Sequence, residues 1–439
     1  PNRTVPLTRR WRVRARISAT SDYQAAITVG ESMQLIRSGS GRDLRVDFFR
    51  GLALWWIFID HTHGDVLGFY TLHDFSPCDA AEIFVLLAGF GAAKAYAGAM
   101  DRHGWLYGAT DAAKRAWTLY IAHIFLFVVY AAQVSWFAAA LHRPQDVTAI
   151  RLDPLQQSPF HALLQAITLR YQPSMLNILP LYVVLLLMFV LAMPLLRRPR
   201  LLLALSVALY LAAWVGQFNL PGWRGTGWYL NPFSWQLVFV VGALLAYAPP
   251  RLPRPAALLD TLAVLVIAWG FVVMVMIPPE AHRLPWLQSL LPLLQGSNKT
   301  AEAPARLVSM FAFLWLVIRL VPPDAPWLRS RTAALLALPG QHSLPVFCAS
   351  ILLAFLCSIG LRASNGVPME LAVNLGGALC LLAVAGIAAW TGQPGRAQRP
   401  ARNTATRSPV SAPARQATAL ERSTAPSLRS PHDVFKPVR

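Results

Sequence analysis

The stretch from Val46 to Tyr70 reads VDFFRGLALWWIFIDHTHGDVLGFY, and it decides how the rest of the chain is interpreted. It is long and apolar enough to cross a bilayer as a helix, yet it carries Arg50 and His61. At roughly 100° and about 1.5 Å per residue, the eleven steps between them bring both side chains to nearly the same azimuth, ~16 Å apart along the axis. Ionisable groups in membrane helices usually face a polar interior, so the stretch predicts a helix with a functional face.

The composition of the whole chain is that of a membrane protein. Of its 439 residues, 55% are hydrophobic and 13% charged, and the mean hydropathy is +0.44, which is too apolar for a soluble protein of this length. The formal net charge is +19, but the positive residues lie in tails and in short loops between apolar runs. Membrane topology explains that distribution, and no nucleic-acid partner is expected. Four cysteines without a CxxC pair predict neither a disulfide framework nor a metal site.

Runs of about 20 apolar residues predict an all-α polytopic membrane protein with about ten transmembrane helices. Their centres lie near Trp56, Leu87, Phe127, Leu186, Val207, Phe239, Val266, Leu314, Leu352 and Leu382. The fourth and fifth are separated only by Arg197, Arg198, Pro199 and Arg200, which predicts a tight helical hairpin.

Loop charge predicts the orientation of these helices, because Lys and Arg stay preferentially on the cytoplasmic side. The basic residues of the N-terminal arm, of alternate short loops and of the C-terminal tail fall on one side of a ten-helix arrangement, so both termini are expected in the cytoplasm. Arg143, Arg151, Arg170 and Lys299 lie in the opposite loops, which are long enough to weaken the rule.

The chain divides into three segments by composition. Residues 1–41 form a basic extension without the hydrophobic core of a cleavable signal peptide, so the first span is expected to act as the insertion signal and Met33 is an alternative start. Residues 42–391 form the transmembrane domain. Residues 392–439 are dominated by Arg, Pro, Ser, Thr and Ala and are expected to be disordered, either touching anionic lipids or simply solvated.

His61 is the strongest candidate for chemistry. A neutral imidazole can take a proton from a hydroxyl, and the neighbouring carboxylate of Asp60 can orient it, although a membrane histidine can also serve as an interhelical hydrogen-bonder. Glu82, one turn into the second span, can meet His61 because the first two helices run antiparallel. Asp79 opens that span, where capping of the helix N-terminus explains a carboxylate.

The spacing of these residues matches a known group of proteins. The pattern R-x-D-x-x-R-G-L-A with a downstream histidine, typical of the membrane acyltransferase-3 superfamily, is reproduced by Arg45, Asp47, Arg50, Gly51, Leu52, Ala53 and His61. Further runs are similar to the OpgC protein family: DFFRG from Asp47, DAAEIFV from Asp79, ILPLY from Ile178, NPFSWQ from Asn231 and GQHSLPVF from Gly340. The chain therefore resembles that family from residue 42 to about 390. It departs from the pattern at Asn177, where an Asp is expected, and in the segment 299–309.

The resemblance implies a bacterial inner-membrane enzyme with ten spans that O-acylates osmoregulated periplasmic glucans, typically with succinyl groups. It also implies cytoplasmic acyl-CoA, with succinyl-CoA as the expected donor substrate, and neither a bound cofactor nor a metal. The expected partners are the glucan acceptor, acyl-CoA and membrane lipids.

Donor-side roles follow from this reaction. Guanidinium groups can grip the phosphates of a nucleotide thioester, and Arg45 and Arg50 stand at the expected cytoplasmic entrance, with Asp47 within pairing distance of Arg50. His342 and Ser343 begin the ninth span on the same side, so donor contact is expected of them, with helix capping by Ser343 as the alternative.

Acceptor-side roles are assigned to the start of the sixth span. Asn231, Trp235 and Gln236 lie there beside Trp223, Trp228 and Tyr229. Aromatic rings stack on sugars and Gln236 can hydrogen-bond hydroxyls, although an interfacial aromatic belt also explains such residues.

Two alternatives stay open at the level of sequence. The acyl group can pass directly to the sugar or first to His61 or another residue as a covalent carrier. The runner-up function is a proton-coupled transporter or flippase for a lipid-linked or acidic solute, with Arg50, His61 and Glu82 as the proton path. Such a protein more often shows inverted repeats, and the sequence has no convincing one.

Overall fold

The structure is a computed structural model that describes residues 43–250, 256–277, 285–364 and 366–392. Residues 1–41 and 393–439, which carry the two predicted extensions, lie outside the described residues. Within the described ranges the protein is helical, and the β pairing is an isolated antiparallel bridge between Pro221 and Gly227. The predicted all-α class is therefore confirmed.

Helices of eleven or more residues are labelled here in chain order. They are α1 Leu44–His61, α2 Ala80–His103, α3 Trp105–Ala140, α4 Ile178–Arg197, α5 Pro199–Gly216, α6 Pro232–Tyr247, α7 Ala257–Met276, α8 Pro304–Leu320, α9 Arg331–Gln341, α10 Ser343–Ala363 and α11 Val367–Thr391. Each of the ten predicted centres lies inside one of them, and α9 is additional. Only Arg198 separates α4 from α5, as the predicted hairpin requires.

Seven of these helices are long and apolar enough to cross a bilayer, namely α2, α3, α4, α5, α7, α10 and α11. The other three predicted spans are less clear for physical reasons. Helices α6 and α8 have 16 and 17 residues, and α1 carries Arg45, Asp47, Arg50 and Asp60. The chain is a polytopic membrane protein, while the count of ten and the position of the termini stay predictions.

Glycines allow the helices around α1 and α2 to touch through their backbones. A Cβ on Gly51 would collide with the Leu336 carbonyl oxygen, and one on Gly340 with that of Asp47, so α1 and α9 cross in direct contact. Small residues at helix crossings bring backbones close enough for dense packing, which is a main driving force for helix association in lipid.

The same device joins α2 to α6. A Cβ on Gly89 would collide with the Phe239 carbonyl oxygen, and one on Gly242 with that of Leu86. Helix α1 is thus packed against α9, and α2 against α6, with Arg50 of α1 bonded to the Leu87 carbonyl of α2. The two ends of the bundle are named for the residues at the two termini of α1: the Arg45 end and the His61 end.

Candidate functional site

A cavity of about 960 Å³ opens at the His61 end. It lies between the end of α1, the start of α2 and the loops that precede α4, α6 and α8. The ionisable side chains that line it are Asp60, His61, His73, Asp79, Arg151, Arg170 and Lys299. Its volume falls within the range of small-molecule sites, and its lining mixes aromatic, amide and charged groups.

His61 is held in one orientation by its own helix. Its Nδ1 lies 2.7 Å from the Ile57 carbonyl oxygen. A carbonyl only accepts hydrogen bonds, so Nδ1 carries the proton and a neutral ring leaves Nε2 as the basic atom. The neighbouring Asp60 accepts a 2.5 Å hydrogen bond from the Thr71 hydroxyl and does not bond to His61. Both line the cavity, but the backbone, and not the carboxylate, orients the imidazole.

Glu82 takes part in a buried ion-pair cluster instead of meeting His61. It is fully buried and does not line the cavity. Arg306 of α8 donates from Nε to Glu82 Oε1 at 2.6 Å and from Nη2 to Asp79 Oδ2 at 2.9 Å. Asp79 and Glu82 also form a capping box, with the Asp79 amide donating to Glu82 Oε2 at 2.9 Å. The sequence-based catalytic role for Glu82 therefore has no geometric support, because its carboxylate is used to balance a buried guanidinium.

Asp79 is the point where this cluster reaches the cavity. The Lys299 ammonium donates to Asp79 Oδ2 at 2.5 Å, and His73 Nδ1 lies 3.8 Å from the same oxygen. Burial opposes ionisation of Asp79, but Lys299, His73 and Arg306 outweigh it and hold the pKa of the carboxyl well below its usual range. These partners favour the ionised form of Asp79, and its bond to Lys299 holds that side chain in the cavity wall.

Glu302 lies beside the cluster in a different state. Its side chain is fully buried, and among the described residues neither carboxyl oxygen has a hydrogen-bond partner. Burial, together with the nearby charge of Glu82, raises its pKa well above the usual range, and Arg306 Nε is 3.7 Å away. Burial therefore favours the neutral form of Glu302, whereas Asp79 and Glu82 accept hydrogen bonds directly from Arg306.

The three side chains expected to bind the acceptor hold the fold together instead. Asn231 caps α6 by accepting from the Phe233 amide at 3.0 Å, and Trp235 Nε1 donates to the Lys299 carbonyl at 3.0 Å. Gln236 accepts from the Ser206 hydroxyl at 2.7 Å. All three are buried and none lines the cavity. Their hydrogen-bonding groups are used within the protein, so they position the loop of Lys299 and helix α5.

Other residues supply the aromatic and amide groups of the cavity at this end. The aromatic and amide side chains that line the cavity are Tyr171, Trp223, Trp228, Tyr229, Phe347, Gln172, Asn177, Gln217 and Asn219. Asn177, noted above as a departure from the family pattern, is among them. Most lie in irregular loops without periodicity, and the signal that singles them out is the clustering of aromatic and amide residues between predicted spans.

The Arg45 end is arranged differently. Arg45 donates from Nε and Nη2 to Asp43 at 3.0 and 2.8 Å, and from Nη1 to the Val321 carbonyl at 3.0 Å. Arg50 donates to the Leu87 carbonyl at 2.9 Å and points to Gly91. A cavity of about 210 Å³, lined mostly by apolar side chains together with Asp43 and Arg45, lies between α1, α2, α6 and α8.

The remaining donor-side candidates lie near the crossing of α1 and α9. Asp47 is buried, and its carbonyl packs on Gly340 at the end of α9. His342 lies between α9 and α10, and Ser343 is the first residue of α10, with no side-chain cap at that helix start. Asp47, Arg50, His342 and Ser343 therefore share the part of the bundle where α1, α9 and the start of α10 meet.

A helical membrane protein with a large cavity lined by charged, amide and aromatic side chains, His61 and His73 among them, is the class that this fold and site define. The OpgC protein family matches residues 42–393, which is most of the chain and includes every residue that the structure describes. The chain belongs to the OpgC family. Comparison with curated proteins and with solved structures finds no match.

Proposed function

We propose that this protein is a membrane O-acyltransferase that transfers an acyl group, succinyl in the first instance, from cytoplasmic acyl-CoA to hydroxyls of osmoregulated periplasmic glucans. The observation that carries the proposal is His61, whose Nδ1 donates to the Ile57 carbonyl and whose ring lines a cavity of about 960 Å³. Membership of the OpgC family supports the same assignment.

The chemistry uses the basic Nε2 atom of His61. This nitrogen takes the proton of a sugar hydroxyl as the oxygen attacks the thioester carbonyl carbon. The tetrahedral intermediate then collapses, the carbon–sulfur bond breaks, and the imidazolium returns its proton to the departing thiolate. The products are a sugar ester and the free thiol of coenzyme A. The bond from Nδ1 to Ile57 keeps the ring in the tautomer that this step requires.

The acceptor enters this proposal through the lining of the cavity. Tyr171, Trp223, Trp228 and Tyr229 offer apolar faces for sugar rings, and Asn219 adds an amide. Asn231, Trp235 and Gln236 support that wall without touching the ligand. The residues proposed to contact the acceptor are therefore those that line the cavity, and the three that the sequence indicated pack behind them.

The donor enters from the Arg45 end. Arg45 and Arg50 are the guanidiniums of α1, and they attract the phosphates of the nucleotide. The pantetheine arm then extends along α1 toward His61, over the ~16 Å that eleven helical residues span. In this proposal the Arg45 end faces the cytoplasm and the His61 end the periplasm.

The test compares periplasmic glucan from cells that lack the protein and from cells complemented with wild type, His61→Ala or His63→Ala. His63 is the matched control, because it lies two residues away and does not line the main cavity. Anion-exchange chromatography should show anionic glucan with wild type and His63→Ala, and neutral or less anionic glucan with His61→Ala and without the protein. Equal membrane levels of the variants are checked by immunoblot.

The outcomes separate this proposal from the transporter. If periplasmic glucan from cells without the protein carries as many anionic substituents as glucan from wild type, the glucan assignment is wrong. A purified protein that moves a solute across vesicles, but forms no ester from acyl-CoA and a glucose oligosaccharide, would favour the transporter instead.

A further inference from the structure

We infer that the cavity at the His61 end contains an anion-binding site formed by Arg151 and Arg170, and that its ligand is a saccharide carrying a carboxylate or phosphate group. The inference rests on the proposed function for the saccharide part of the ligand. The anionic part rests on the charges that face the cavity.

Both guanidiniums are free to bind a ligand. Arg151 and Arg170 line the cavity and are exposed. Among the residues that the structure describes, neither side chain has a hydrogen bond or an ion pair. Other arginines at this end are engaged: Arg306 with Glu82, Arg362 with Asp146 at 3.0 Å, and Arg224 with Gln157 at 3.5 Å.

The remaining charges in the cavity do not neutralise these two cations. Asp79 is paired with Lys299 and Arg306, and Asp60 accepts its hydrogen bond from Thr71. The cavity lining therefore holds three basic side chains, Arg151, Arg170 and Lys299, against two acidic ones, Asp60 and Asp79, and the two arginines have no acidic partner among the described residues. A neutral sugar hydroxyl can accept a single hydrogen bond from a guanidinium, whereas a carboxylate or phosphate group matches its planar fork with two charge-assisted bonds.

The segments that carry Arg151 and Arg170 are hydrogen-bonded to each other at the rim of the cavity. The Tyr171 hydroxyl donates to the Arg151 carbonyl at 2.7 Å, and the Ser174 amide donates to the Ile150 carbonyl at 3.0 Å. These bonds tie the segment that carries Arg151 to the segment that carries Arg170. Arg151 is also held at a φ of 61°, a left-handed conformation that a non-glycine residue keeps only where its neighbours enforce it.

The test measures ligand binding to the full chain in lipid nanodiscs without an acyl donor, so that no turnover occurs. Four probes are compared by isothermal titration calorimetry: a neutral glucose oligosaccharide, its succinyl half-ester, the methyl-capped form of that half-ester, and the same oligosaccharide carrying glycerol phosphate. The capped form matches the half-ester in size and differs in charge.

The half-ester should bind about tenfold more tightly than its capped form at low salt, as expected for one or two charge-assisted hydrogen bonds. The Arg151→Gln/Arg170→Gln variant should bind both forms with equal affinity and keep its affinity for the neutral probe. Arg224→Gln is the matched control, because it removes a guanidinium at the same end that does not line the cavity, and it should keep the preference. Arg151→Lys/Arg170→Lys retains the charge and should keep part of it.

The probes also distinguish the source of the anion. If the succinyl half-ester binds more tightly, the natural ligand is a glucan that already carries one succinyl ester. If the glycerol phosphate probe binds more tightly, the anion is a different substituent of the acceptor. Equal binding of charged and capped probes to the wild type, or a preference that survives in the double glutamine variant, would overturn the inference. Because no acyl donor is present, this result is independent of whether His61 transfers an acyl group.

Discussion

Arg306 and Glu82 are 224 residues apart in sequence, and their side chains meet in a 2.6 Å hydrogen bond from Nε to Oε1. Arg306 is nine-tenths buried or more and Glu82 is completely buried. The pair joins α8 to α2 directly below the cavity, and Asp79 extends it to the cavity wall through Lys299. The position of the cavity wall thus depends on a contact that connects distant parts of the chain.

Replacing Arg306 with Met should destabilise the protein strongly. It would leave two buried carboxylates without their guanidinium, and breaking a buried ion pair on one side costs about 3–5 kcal/mol. We expect a large fall in the melting temperature of the detergent-solubilised protein, measured by fluorescence-detected size exclusion after heating.

The matched control for that change is Arg319→Met. Arg319 pairs with Asp260 at 3.0 Å, but both side chains are more than one third exposed, so the melting temperature should move little. Adding Glu82→Gln to Arg306→Met should recover part of the loss, because it removes one of the stranded charges. Equal effects of the two methionine variants would contradict this account of the cluster.

The crossing of α1 and α9 gives a second prediction. Gly51→Ala and Gly340→Ala would each drive a methyl group into a backbone carbonyl of the facing helix. Such overpacking costs about 1–3 kcal/mol, so both variants should melt earlier and express less. Gly376→Ala in α11 is the control, since nothing lies within 4 Å of its added Cβ and alanine favours the helix. Tolerance of alanine at Gly51 would show that the helices are not in backbone contact.

Stability should also depend on pH through His73. Asp79 beside it raises the pKa of the imidazole above its ordinary value. A raised pKa in the folded state means that the ion pair contributes fully below the unfolded histidine pKa of about 6.5, and that the contribution is lost as the pH rises through the folded value. We expect wild type to melt above His73→Gln at about pH 5.5, below the unfolded histidine pKa, and the gap to narrow as the pH rises above it. If the difference in melting temperature between wild type and His73→Gln grows as the pH rises, the ion pair between His73 and Asp79 does not stabilise the protein as described.

Arg50→Ala should change the dependence on the donor. If its guanidinium attracts the nucleotide phosphates, its removal should raise the acyl-CoA concentration needed for half-maximal transfer by roughly tenfold, since charge-assisted hydrogen bonds contribute about 1.5–3 kcal/mol. The measurement is a titration of acyl-CoA with the purified protein and a glucose oligosaccharide. Arg224→Ala, at the opposite end, serves as the control. An unaltered donor dependence would remove Arg50 from the donor site.

The local part of the site was accessible from sequence and the distant part was not. The fixed spacing within α1 singled out His61 and Asp60, and both line the cavity. Asn231, Trp235 and Gln236 were also conspicuous, yet they are buried in hydrogen bonds to Phe233, Lys299 and Ser206. A polar residue at a helix start has the same appearance in sequence whether it faces a ligand or a neighbouring loop.

The sequence by itself determined that the chain is an all-α membrane protein, where ten of its eleven longer described helices are centred, and that α1 carries His61. Hydropathy and helical periodicity are local properties, so a single pass along the chain reveals them. Only the tertiary structure decided that Glu82 pairs with Arg306, that Lys299 completes the cavity wall, and that Arg151 and Arg170 share one rim. Those contacts join segments that no local pattern relates, because buried charges must find partners wherever the packing of the helices brings them.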